Sequence, residues 1–240
     1  MTAAATDTPL DDTLRDALLA VPVATLSAVL YARGLRSRFL HGVVSVGAPK
    51  MVGLAHTVRA IPVREDIRTE VEAKRAPSLH RQALDQARPG DVVVFATEGA
   101  ARVSVLGDII ATALQARGVA GFVTDTGVAD LESVGGLGWP VFAAGGSAPV
   151  PSSALVMVAD HGQPIGIAGV AVFPGDVMVG DANGVVCIPR AIAAEVAAAA
   201  AEKEAMEGWI VKQVAAGAPL EGTYPPSAEA LARYRAEKGG

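Results

Sequence analysis

The 240-residue chain is 51% hydrophobic but only 4% aromatic, so a sizeable core is expected, built from Ala, Val, Ile and Leu. Its 20 basic against 25 acidic residues leave no basic stripe, which argues against direct nucleic-acid binding. The single cysteine, Cys187, excludes an internal disulfide and any multi-cysteine zinc site, and in the apolar run "GVVCIP" it reads as small core filler.

The N-terminal "MTAAATDTPLDDTLRD" is polar and acidic, unlike a signal peptide, and no run of about 20 apolar residues would span a bilayer. A soluble, cytoplasmic protein without a membrane partner is expected. A helical pattern over 10–33 is interrupted at Pro22 and stops at Gly34, so that residues 1–24 form a helical lead-in. "HGVVSVG" and the alternating, β-branched "KMVGLAHTVRAIPV" read as strands. "REDIRTEVEAKRAPSLHRQALDQARPGD" is charged and mostly helical, and delivers the chain into "VVVFATEG", a wholly apolar run of the kind that forms a buried strand. The order then repeats: helix in "SVLGDIIATALQARG", strand in "VAGFVTD", turn and short helix in "TGVADLESVGGLG", strand in "WPVFAAGG". Residues 154–189 read as several strands separated by turns, with "GDANGVV" as a hairpin and not a calcium loop. From residue 190 to 240 a long helix and a tail close the chain, the Ala tract at 197–201 lying inside the helix. Strand–helix alternation followed by a strand meander predicts a mixed α/β class, with residues 1–240 as one domain.

The stretch "GDIIATALQARGVAGFVTDTGVAD" concentrates the candidate chemistry. Gly107 lets the backbone turn into a helix whose first amides, on Asp108, Ile109 and Ile110, are donors free to hold carboxylate or phosphate oxygens. Asp108 suits the positive end of the helix dipole, and its competing reading is a simple N-cap. About twenty residues later a strand ends in a turn carrying Asp125 and Asp130. There a carboxylate plus waters can hold Mg²⁺, while the competing reading has Asp130 capping the helix that follows. Arg102, five residues before the loop, is either a site residue or a solvated surface arginine. His41, His56 and His161 lack the spacing of a ligand set and read as ordinary strand or loop residues. Ser152 and Ser153 have no His–Asp pair beside them, and the Gly-rich "VGGLGWP" and "AAGGSAP" match neither dinucleotide nor P-loop spacings.

The same stretch resembles the signature of the RraA-like family, which includes the proposed regulator of RNase E activity and the 4-hydroxy-4-methyl-2-oxoglutarate aldolases. "MVGLAHTVRAIPVRED", "GVAVFPGDVMVGDANGVVCIP" and "GTYPPSAEALARY" resemble its longer members, so the similarity runs from about residue 25 to the end. The resemblance implies a swivelling β/β/α sandwich with a long C-terminal helix, assembled as a homotrimer or homohexamer with sites near subunit interfaces. It implies a metal-dependent lyase of the aldolase or decarboxylase type, with Mg²⁺ or Mn²⁺ as cofactor and a small 2-oxo acid or related carboxylate as substrate. Substrate contacts fall on Gly107, Asp108, Ile109, Ile110 and position 129, metal binding on Asp130, and a catalytic role on Asp108. One departure stands out. Where the family reads Asp-Gly-x-x-Arg-Asp, this chain reads Asp125-Thr126-Gly127-Val128-Ala129-Asp130, so the arginine that contacts the keto acid is replaced by Ala129. That leaves two alternatives beside the lyase: a family enzyme with a changed substrate or reaction, and a non-enzymatic regulatory protein.

Overall fold

Residues 8–98, 103–148 and 154–238 are described by a computed structural model. The chain opens with α1 (Asp12–Ala20) and α2 (Val23–Ala32), bent by 100° at the break that holds Pro22. Proline is tolerated at the start of α2, where no intrahelical acceptor awaits its missing N–H. Gly34, at φ 85°, turns the chain away after α2, as the sequence predicts. Short β1 (Val44–Ser45) precedes the long β2 (Met51–Pro62), so only two residues of the predicted "HGVVSVG" strand enter the sheet. The charged stretch forms two helices, α3 (Glu65–Glu72) and α4 (Leu79–Asp85). Then follow β3 (Asp91–Ala96), α5 (Asp108–Ala116), β4 (Gly121–Thr124), β5 (Gly127–Val128), α6 (Leu131–Gly136), β6 (Val141–Ala143) and β7 (Gly145–Gly146). The meander comprises β8 (Val156–His161), β9 (Ile165–Ile167), β10 (Val170–Val172), β11 (Val177–Asp181) and β12 (Gly184–Ile188). Helices α7 (Ala193–Ala215) and α8 (Ala228–Lys238) end the described chain, so the predicted tail contains a second helix.

The main sheet runs β1-β6-β4-β3-β2-β11-β12, with β8 also on β2. Strands β2, β3, β4 and β6 are parallel, and their partners at both ends are antiparallel. β3 is buried on both faces, which is why "VVVFA" is continuously apolar. Alternate residues separate two cores. Val93 and Phe95 face Ala111 and Leu114 of α5 and Val134 of α6, whereas Val92 and Val94 face Ile165, Ile167, Val170 and Val172 of the β9–β10 hairpin. A third core lies where α1, α2 and the first half of α7 cover Val177, Val179, Val186 and Ile188. The two ends of the sheet approach each other. Leu40 N donates to Val185 O at 2.9 Å just before β1, and a Cβ on Gly180 of β11 would sit 2.6 Å from the Phe142 ring of β6. The result is a mixed α/β, nearly barrel-like sheet with helices outside and a long C-terminal helix. The carboxyl ends of β3 and β4 emerge side by side, and their loops carry the candidate residues.

Candidate functional site

Two loops are laced together at these strand ends. The segment before α5 runs beside β5: Ser104 bridges Gly127 in parallel, Gly127 N donates to Val103 O at 3.0 Å, and Ala129 N donates to Leu106 O at 2.8 Å. This short ladder brings residues 107–110 against residues 129–130. Gly107 is the N-cap of α5, extended at φ −130° and ψ 179°, without a side-chain cap. Asp108 is therefore the first residue of the helix and not its cap, and its carboxylate makes no hydrogen bond or ion pair among the described residues. The amides of Asp108, Ile109 and Ile110 have no acceptor inside the helix, and they sit at the positive end of its dipole.

Asp130 occupies the N-cap position of α6 in the left-handed region, at φ 53° and ψ 42°, and its side chain accepts no capping bond. Left-handed backbone costs a non-glycine residue about 1 kcal/mol, least for Asp and Asn. The backbone starts the helix, with Val134 N donating to Asp130 O at 2.8 Å, and the exposed carboxylate is left for another use. It lies against Gly107: a Cβ built there would be 2.8 Å from Asp130 Oδ2. Gly107 is thus required for the close approach of this carboxylate to the α5 N-terminus. Half-buried Ala129 precedes Asp130, and the neighbouring apolar residues Ile109 and Leu131 are 82% and 41% exposed. One unpartnered, solvent-facing carboxylate fits Mg²⁺, which keeps several waters and takes one or two protein carboxylates. A closed protein cage does not form: no group of three His, Cys, Asp or Glu converges among the described residues.

Asp125 has a different environment. Its Oδ1 accepts from Thr97 N at 2.8 Å and Thr97 Oγ1 at 2.9 Å, tying the end of β4 to the end of β3. With Glu98 and His41 it lines a cavity of 770 Å³ under the β9–β10 hairpin. Thr126 is fully buried and its Oγ1 donates to Val103 O at 3.0 Å, so this residue, at the family's glycine position, helps clamp the two loops. Glu98, in left-handed backbone at φ 54°, was missed by sequence reasoning; its place at the end of the "VVVFATEG" run was the available signal. Arg102, Ser152 and Ser153 lie outside the described residues.

The histidines are not as isolated as their spacing suggests. β2–β8 pairing stacks His56 on His161 with ring centroids 6.1 Å apart, and His56 Nε2 lies 2.8 Å from Ala83 O. Burial lowers the His56 pKa against the opposing pull of the Ala83 bond. His41 is exposed and edge-on to Phe39. Cys187 is fully buried with Sγ 3.5 Å from Asp176 Oδ2; burial and then that carboxylate push the thiol well up, consistent with core filler and not a nucleophile.

Comparison with known proteins gives this geometry a context. The RraA-like family model, described as Aldolase/RraA, matches residues 13–187. A Halalkalibacterium halodurans protein named "Putative 4-hydroxy-4-methyl-2-oxoglutarate aldolase" is 33% identical over 124 residues, which cover 52% of this chain and 58% of that one. The crystal structure of Streptomyces coelicolor RraAS2, described as an unusual member of the RNase ES inhibitor RraA protein family, matches with TM-score 0.73 and 30% identity, covering 84% of this chain and 97% of that one. An uncharacterized protein from Pseudomonas syringae pv. tomato matches with TM-score 0.78 and 28% identity over 90% of this chain and 95% of its own. The chain spans less than two thirds of the length of the curated relatives it matches.

Proposed function

This chain belongs to the RraA-like family, and from that premise we propose that it is a divalent-metal-dependent lyase acting on a small 2-oxo acid or related carboxylate. The observation that carries the reading is the unpartnered Asp130 carboxylate held against Gly107 at the N-terminus of α5. In this reading the amides of Asp108, Ile109 and Ile110 hold the substrate carboxylate, which needs no charged side chain there. Asp130 would hold Mg²⁺ or Mn²⁺, which when bound supplies Lewis-acid stabilisation of charge developing on a keto oxygen. As the carbon–carbon bond of oxaloacetate breaks, CO₂ departs and the bonding electron pair passes into the retained pyruvyl fragment as an enolate. A water positioned by Asp108 would return a proton to that carbon, and the hydroxide left behind is taken up by the CO₂ as bicarbonate. Exposed Ile109 and Leu131 give the substrate's apolar carbons a wall.

Ala129 favours a second reading: an enzyme of the same family with a changed substrate. An arginine here would offer a planar, permanently charged fork to a second carboxylate or to the developing enolate. Alanine offers neither, so a substrate with one carboxylate suits this site better than one with two. Like the longer family members it resembles, the chain is proposed to assemble as a trimer or hexamer.

The test is pyruvate release from oxaloacetate with saturating Mg²⁺, comparing wild type with Asp130→Ala. A slow wild-type rate is expected, about 10²–10³ below an Arg-bearing relative, and Asp130→Ala should abolish it. Absence of both turnover and divalent-metal binding in wild type would leave the regulatory-protein reading.

A further inference from the structure

A second cavity, remote in purpose from the Asp130 site, lies beneath α3. It has a volume of 360 Å³, at the small end of the ~300–1,000 Å³ typical of ligand pockets. Its floor is Ala60 of β2, Phe95 of β3, Val105, and Val156 and Val158 of β8, while Ile67 and Val71 of α3 form its roof. Helix α3 contributes no fully buried residue, although its pattern places these two apolar side chains on its inner face. The roof therefore stands off the sheet instead of sealing onto it.

The two charged side chains lining the cavity are paired with each other. Arg68 Nε is paired with Glu72 Oε1 at 2.6 Å, and the Ser78 hydroxyl accepts from Arg81 N to cap α4. His80 sits edge-on to Phe95 at 5.6 Å, and its Nε2 is buried without a hydrogen-bond partner among the described residues. Burial first, and Arg81 second, lower the His80 pKa, so the ring resists taking up a positive charge. Nothing is left to offset a ligand charge, and a charged group brought here would be desolvated without compensation.

We propose that the cavity under α3 is a binding site for an uncharged, apolar small molecule of about two or three rings. The inference does not depend on the lyase reading: the cavity shares only the apolar Val105 with the ladder behind the Asp130 site, and none of the groups proposed to hold metal or substrate. It is tested on the full chain with two fluorescent probes sharing one anilinonaphthalene skeleton, uncharged N-phenyl-1-naphthylamine and its sulfonated counterpart 8-anilino-1-naphthalenesulfonate. The uncharged probe should bind saturably at one per chain, and at least about tenfold more tightly than the sulfonate. Val71→Trp, which fills the cavity from the partly exposed α3, should weaken that binding at least about tenfold, while Asp130→Ala should leave it unchanged. If Val71→Trp does not melt like wild type, Ile67→Trp takes its place with the same expectation. No saturable binding, equal binding of the two probes, or undiminished binding in a folded Trp variant overturns the proposal, as does loss of binding in Asp130→Ala.

Discussion

Gly107 has no room for a side chain, since a Cβ would fall 2.8 Å from Asp130 Oδ2. Gly107→Ala should therefore displace the carboxylate, lowering Mn²⁺ affinity by calorimetry about 10–100-fold with little change in melting temperature, because φ −130° is accessible to alanine. Ala129→Arg should raise oxaloacetate decarboxylation in the same assay, each ~1.4 kcal/mol of added stabilisation giving about tenfold. Pairing it with Thr126→Gly, to match the family's motif, is a poor choice on this structure. Thr126 is fully buried and its hydroxyl clamps Val103 O, so Thr126→Gly should cost roughly 1–3 kcal/mol in denaturant unfolding. His56 and His80 both have pKa values lowered by burial from 6.5. Well above 6.5 both are neutral whether the chain is folded or unfolded. As pH falls below 6.5 the unfolded chain takes up protons that the folded one refuses, and stability is lost. The melting temperature should drop between about pH 7 and about pH 5, with a shallower slope in His80→Phe. An unchanged slope there would put the pH dependence elsewhere.

At the scale of elements, the sequence was most legible where burial is simplest. "VVVFA" is apolar throughout and "GFVT" is buried throughout because helices cover one face and the β9–β10 hairpin the other, and the β11–β12 hairpin was readable from "DANG", although its two turn residues are Ala182 and Asn183 and Gly184 already pairs with Asp181. The "GDII" turn into α5 was equally readable from Gly107, but what Gly107 is for was not. Its contact with Asp130 depends on the parallel ladder between residues 103–106 and 127–129, a pairing over more than twenty residues that no local pattern encodes. The His56–His161 stack escaped for the same reason: β2–β8 register joins residues about a hundred positions apart. Asp125 and Asp130 looked like a pair because they are close in sequence, yet hydrogen bonds send Asp125 to Thr97. Helix α8 was hidden in a tail of mixed polarity; Trp209 holds it, with Nε1 2.6 Å from Glu237 Oε2 and the ring 5.8 Å from Tyr234. Trp209→Ala should release α8, seen as faster amide exchange over residues 228–238, while the rates of the core strands stay at wild-type values.

For the whole molecule, the candidate site depends on how the sheet delivers two loops to one place. Parallel β3 and β4 end together, the ladder locks their loops, and the positive end of α5 meets an acidic side chain without a partner among the described residues. In the proposed reading the carboxylate would take a cation and the amides an anion, and the two should bind cooperatively. Oxalate, a small planar dicarboxylate resembling a pyruvyl enolate, tests that coupling directly. The measurement is a calorimetric titration of Mn²⁺ into wild type and Asp130→Asn, each with and without saturating oxalate. Oxalate should tighten Mn²⁺ binding to wild type at least about fivefold, whereas Asp130→Asn, folded as judged by its melting curve, should bind Mn²⁺ weakly with no oxalate effect. Equal Mn²⁺ binding by the two proteins, or wild-type binding indifferent to oxalate, would contradict this reading.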